Sequence, residues 1–119
     1  MTLNGLITGL SRARTFQSAL AQSARSADFS LVEGLRAPLI AGLLTTDARP
    51  RALLAITATG RESEALARAL ECYLPSATVV DFPAWETLPH ERLSPSAETV
   101  GKRIAALRAI TSRQQNPTG

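Results

Sequence analysis

One cysteine, one histidine and one lysine occur in these 119 residues, and each scarcity closes off a class of chemistry. Cys72 has no second thiol with which to form an internal disulfide. With His90 as the only histidine, the chain cannot assemble a Cys/His metal cluster of its own, so no structural metal is expected. No run of residues approaches the ~18 apolar positions needed to span a bilayer. The opening segment, Met1–Leu10, is weakly amphipathic and lacks both the charged start and the sustained apolar stretch of a signal peptide. These absences predict a cytoplasmic protein with no membrane contact.

A nucleotide-binding loop is also missing. Such a loop needs G-x-x-x-x-G-K-[ST]: the glycines let backbone N–H groups reach phosphate, the lysine meets the β/γ-phosphates and the hydroxyl holds Mg²⁺. Gly34-Leu35-Arg36-Ala37-Pro38-Leu39-Ile40 stands where this motif would fall in a RecA-like motor domain and has none of its later elements. The Gly101-Lys102 pair has Ser96 where the first glycine should stand and Arg103 where the hydroxyl should stand, and it lies within a helical pattern. No cofactor is expected.

What is present suits one small domain or one piece of a larger one, since 45% of the residues are hydrophobic. Twelve arginines and one lysine against ten acidic residues give a net charge of +3. That balance permits contact with nucleic acid, but the scatter of the arginines reads more plainly as a solvated basic surface.

Along the chain, Leu3, Leu6, Ile7 and Leu10 recur at helical spacing, and Phe16, Ala19, Leu20 and Ala24 share a second helical face. Residues 1–28 are therefore expected to be a helical segment. Phe29-Ser30-Leu31-Val32-Glu33 alternates like a strand, and Pro38 is placed to open a helix through Leu39, Ile40, Leu43 and Leu44. After a polar turn at 45–50, Ala52-Leu53-Leu54-Ala55-Ile56 is apolar throughout, as in a strand buried on both faces of a parallel sheet. Thr59-Gly60-Arg61-Glu62 reads as a capping box opening a helix whose inner face carries Ala65, Leu66, Ala69, Leu70 and Tyr73. A third strand is expected at Ala77–Asp81, and a last helix with Val100, Ile104, Leu107 and Ile110 on its packing face. Three alternations of strand and helix predict a parallel sheet with helices on its faces. The α/β module would occupy residues 29–112, followed by a polar, flexible tail at 113–119.

Between the third strand and the last helix lies an irregular stretch, Phe82-Pro83-Ala84-Trp85-Glu86-Thr87-Leu88-Pro89-His90-Glu91-Arg92-Leu93-Ser94-Pro95. It holds the only Trp, the only His and three of the seven prolines. Proline donates no ladder hydrogen bond and disfavours helix for the residue before it. Long loops in compact domains tend to be functional or disordered, and this one is too rich in large side chains for disorder to be the better reading. Trp85, Glu86, His90, Glu91 and Arg92 form a candidate interaction surface. Their plainer reading has Trp85 plugging the flank of a core and His90, Glu91 and Arg92 as surface ion pairs, with no nucleophile placed for acid–base chemistry. Ser94 with Pro95 is expected to cap the last helix.

The stretch FPAWETLPHERLSPSAETVGKRIAALRAI resembles the segment near the N-terminus of the bacterial transcription-repair coupling factor (Mfd) family, with its W-E-T-L-P loop, Ser-Pro turn and helix. The likeness is strongest over Leu53–Ile110, and a more distant one extends to UvrB, without room here for UvrB's DNA-clamping hairpin. The resemblance implies a partial, three-layer RecA-like sheet with flanking helices that has lost nucleotide binding. It further implies that the full-length family is an ATP-dependent DNA translocase that removes stalled RNA polymerase and recruits UvrA in nucleotide excision repair. DNA, RNA polymerase and UvrA would then be met by regions outside this chain, whose own partners would be the remaining domains of its polypeptide. In helicase-like domains the turn after the second strand is similar to a motif that touches a nucleic-acid backbone, which makes Thr57, Thr59, Gly60 and Arg61 candidates; the plainer reading is a cap and an exposed arginine.

The expectation is thus a non-catalytic module of such a factor. Two other classes stay open: a truncated nucleotide-dependent α/β enzyme domain, which nucleotide-induced thermal stabilisation would reveal, and a free-standing nucleic-acid-binding module, which steep salt dependence would reveal.

Overall fold

A computed structural model describes residues 3–23, 25–45, 52–87 and 94–115. Five α-helices stand among them: α1 (Asn4–Leu10), α2 (Arg14–Gln22), α3 (Arg36–Thr45), α4 (Gly60–Tyr73) and α5 (Ala97–Gln115), with a 3₁₀ turn at Glu33–Leu35. The chain divides into two compact units, Met1–Ile56 with Arg68–Ala77, and Thr57–Ala67 with Thr78–Gly119.

The first unit is built on α3, which is apolar nearly all round and buries Ala37, Pro38, Leu39, Ala41 and Gly42. Pro38 is the third residue of this helix, in the first turn, where its missing N–H has no intrahelical partner to lose. The 3₁₀ turn leads in, with the Leu35 N–H on the Val32 carbonyl at 2.9 Å. Gly42 is where α2 comes closest: a Cβ there would stand 2.9 Å from two atoms of the Phe16 ring and 3.2 Å from Leu20. The helical spacing of Phe16 and Leu20 thus delivers both to α3, as the sequence pattern predicts. Ile7 on α1 is buried, as are Leu70 and Leu74 at the end of α4. The Leu3 N–H donates to the Cys72 carbonyl at 2.8 Å, tying the start of α1 to the end of α4.

In the second unit, α4 begins as its capping residues dictate. Thr59 Oγ1 accepts the Glu62 N–H at 3.2 Å, while the Glu62 carboxylate turns back to the Ala58 N–H, also at 3.2 Å. The cap of α5 is Ser96, whose hydroxyl oxygen accepts the Thr99 N–H at 3.2 Å. It stands two residues beyond the Ser94-Pro95 expected from sequence, and α5 runs three residues into the stretch expected to be a flexible tail.

The α/β expectation is overturned. No strand occurs among the described residues, so the partial RecA-like parallel sheet with flanking helices is replaced by a helical architecture. Residues 27–32, 52–57 and 78–85 follow irregular paths. A strand exists only through a ladder to a neighbour, and β-propensity measures the fit to such a neighbour more than any backbone preference. Leu54 and Ile56, read as buried on both faces, are 84% and 87% exposed. Short apolar runs carry no periodicity that distinguishes a paired strand from an unpaired one.

Candidate functional site

The proline-rich loop after Asp81 is fastened to α5 at two points, both within the second unit. The first is Glu86. Its carboxylate accepts the Thr99 hydroxyl at 2.7 Å, the Ser96 hydroxyl at 2.9 Å and the Ser96 N–H at 3.1 Å. A negative group here also meets the positive end of the α5 dipole. These bonds, the one from Thr99 foremost, hold the Glu86 carboxyl below its ordinary pKa. Thr99 is buried, so its hydroxyl has its partner inside the protein.

The second point is Arg103, one helical turn beyond Thr99. Its guanidinium lies 3.9 Å from the centre of the Phe82 ring and 4.3 Å from that of Trp85. Its Nη1 donates to the Pro83 carbonyl at 2.6 Å. A planar cation over each of two rings is held by the ring quadrupoles, and the prolyl carbonyl takes one of the five donors. The expectation that Trp85 plugs a core is corrected: it is 51% exposed and is held by Arg103.

Beside this latch Lys102 gathers three carboxylates. Its Nζ lies 3.1 Å from Glu98, 3.2 Å from Glu64 and 4.0 Å from Asp81. Asp81 also accepts the Ser63 hydroxyl at 2.6 Å. The bonds to Glu98 and then Glu64 raise the Lys102 pKa above its ordinary value. Glu98 precedes Lys102 by four residues, the favourable orientation for a helical pair. The cluster joins α4, Asp81 and α5 through charge, and none of these contacts positions a nucleophile against a base.

Of the residues singled out by sequence, Thr57, Thr59, Gly60 and Arg61 do share one turn. The Thr57 hydroxyl donates to the Thr59 carbonyl at 3.0 Å, Thr59 caps α4, and Gly60 and Arg61 are exposed. Trp85 and Glu86 lie together on the latch; His90, Glu91 and Arg92 lie outside the described residues. Arg103, Ser96 and Thr99 were missed. The available signal was that Thr99 and Arg103 stand four apart on one helix, opposite a segment with Phe82 and Trp85 three apart. Among the described residues no three Cys, His, Asp or Glu side chains are grouped to hold a metal, and no helix is long and apolar enough to cross a membrane.

No family model matches the chain, and no solved structure does. Two curated proteins match, the transcription-repair-coupling factors of Mycobacterium bovis and Mycobacterium tuberculosis. Each is 42% identical over 109 residues, covering 89% of this chain and 8% of the relative. Identity at that level over nearly the whole chain reaches well beyond the loop and helix that suggested the likeness. The chain is a module related to the transcription-repair-coupling factor.

Proposed function

We propose that this chain serves as a non-catalytic module of a transcription-repair-coupling factor, its partners being the remaining domains of the same polypeptide. The observation that carries the reading is the 42% identity over 109 residues to two factors of which the match is only 8%. As the sequence resemblance implies, the whole factor would translocate on DNA with ATP, displace stalled RNA polymerase and recruit UvrA through regions beyond this one. The chemistry of the chain supports a supporting part: its Gly-Lys pair lacks the glycine and hydroxyl of a phosphate cradle, and Glu86, Lys102 and Arg103 are engaged in shaping the unit.

Two measurements test this. Calorimetric titration of the chain with Mg-ATP is expected to give no binding, and a dissociation constant below about 100 μM would refute the non-catalytic reading. Replacing the matched segment of the M. tuberculosis factor by this chain should preserve ATP-driven displacement of a stalled polymerase to within about tenfold, or ~1.4 kcal/mol of activation free energy. A folded chimera without that activity would refute the assignment.

A further inference from the structure

The carboxylates of this chain are distributed less evenly than its arginines. Residues 1–27 contain Arg12, Arg14 and Arg25 and no Asp or Glu, whereas residues 28–119 hold ten basic and ten acidic side chains. The whole net charge of +3 therefore lies in the segment that forms α1 and α2. The helix α2 gives that charge a direction. At about 100° per residue, Arg14, Gln17, Ser18 and Gln22 fall on the side opposite Phe16 and Leu20, which close on Gly42 of α3. Arg12 stands in the tight turn before α2, where its N–H donates to the Gly9 carbonyl at 3.2 Å, and Arg25 follows shortly after the end of the helix. The side chains of Arg12, Arg14, Gln17, Ser18, Gln22 and Arg25 are all exposed. Gln17 donates to the Ser11 carbonyl at 2.9 Å and Gln22 to the Ser18 hydroxyl at 3.1 Å. Among the described residues no carboxylate pairs with Arg12, Arg14 or Arg25.

We propose that this face binds the phosphate backbone of nucleic acid, through charge and without reading sequence. Arginine with Ser and Gln beside it is a donor set that meets phosphate oxygens in such complexes. From Arg14 to Gln22 the helix rises about 12 Å, a length over which duplex DNA presents roughly seven phosphate charges. An anionic membrane fits less well. A helix lying in a membrane interface needs an apolar face to insert, and that of α2 is spent on α3. An acidic protein also fits less well, because protein interfaces centre on an apolar core and this face carries no large apolar side chain. Nucleic-acid interfaces are by contrast polar and positively charged. The turn holding Thr57, Thr59, Gly60 and Arg61 lies in the second unit, whose six basic side chains are balanced by six acidic ones. Phosphate contact at α2 adds a role for this chain itself to the supporting part described above.

The test is fluorescence anisotropy of a labelled DNA duplex of arbitrary sequence, titrated with the 119-residue chain at a series of salt concentrations. Three arginine–phosphate contacts predict that log K falls with log salt at a slope of about −2.7, each contact contributing about −0.9. Arg12→Gln, Arg14→Gln and Arg25→Gln should each make the slope shallower by about 1, and the triple variant should bind at least about tenfold more weakly at low salt. A triple lysine variant keeps the charge and should keep the slope. Arg61→Gln and Arg108→Gln remove exposed arginines of the second unit and should leave binding unchanged. Unaltered affinity and slope in a folded triple glutamine variant overturn the proposal. An equal loss in Arg61→Gln or Arg108→Gln also overturns it, by reducing the effect to net charge. So do an absence of duplex binding at low salt, displacement of the duplex by polyglutamate at equal charge concentration, and tighter binding to phosphatidylserine–phosphatidylcholine vesicles than to the duplex.

Discussion

Replacing Arg103 by alanine tests the latch most directly, because the chain's only tryptophan reports on it. The guanidinium makes one short bond to the Pro83 carbonyl and lies on the Phe82 and Trp85 rings. A hydrogen bond from a charged donor contributes about 1.5–3 kcal/mol net, and each exposed cation–π contact about 0.5–1. Both rings are half exposed, so the lower ends apply, and alanine recovers a few tenths of a kcal/mol in helix propensity. The expected loss is about 2 kcal/mol. Arg103→Lys keeps the charge without the planar stack and should lose about 1 kcal/mol. Denaturant unfolding followed by Trp85 emission and by far-UV circular dichroism measures both variants, and the native emission of Arg103→Ala should shift to the red. In a double-mutant cycle, Trp85→Ala and Arg103→Ala should couple by about 0.5–1 kcal/mol. A loss under about 0.5 kcal/mol with unchanged emission would refute the latch.

Glu86 should make acid stability asymmetric. Because its folded pKa is lowered from 4.5, its contribution is present above pH 4.5 and is lost as pH falls through the lowered folded value; Glu86→Gln should flatten that part of an unfolding-versus-pH curve. Lys102 has the opposite sign: its folded pKa is raised from 10.5, so its contribution is complete below that pH and is lost as pH rises through the folded value. Lys102→Met should therefore lower the melting temperature at neutral pH, by less at high salt because the cluster is partly exposed; an equal loss at all salt concentrations would argue against an electrostatic origin. Gly42→Ala sets a helix-propensity gain of about 1 kcal/mol against about 1–3 kcal/mol of overpacking on Phe16. Chemical denaturation should show a net loss of about 1 kcal/mol, and a Phe16→Leu background should reverse the sign; stabilisation in the native background would show that Phe16 moves aside freely.

The apparent strength of the sequence evidence did not track what survived. Ala52–Ile56 had the strongest strand composition and forms no strand, whereas the glycine-weakened pattern at Leu3–Leu10 marks a real helix. A helix satisfies its hydrogen bonds within one segment, so residues 4–10 or 60–73 need only their own spacing and caps. A ladder needs a second segment in register, and nothing in Ala52–Ile56 itself states whether one will be alongside.

The same distinction runs through the candidate site. The chain by itself determined that α4 begins at its Thr-x-x-Glu cap, that its Gly-Lys pair lacks the glycine and hydroxyl of a phosphate cradle, and that residues 82–85 around Trp85 are irregular, because each follows from residues within a few positions of one another. It also determined kinship, since identity is a property of the string. Only the tertiary structure decided which side of α5 is inside. Hydrophobicity favoured Val100, Ile104, Leu107 and Ile110, but Ile104, Leu107 and Ile110 are exposed while Thr99, bonded to Glu86, and Ala106 are buried. Burial of apolar area is non-directional and accepts many orientations of a helix, whereas a carboxylate taking three donors and a guanidinium lying over two rings accept few.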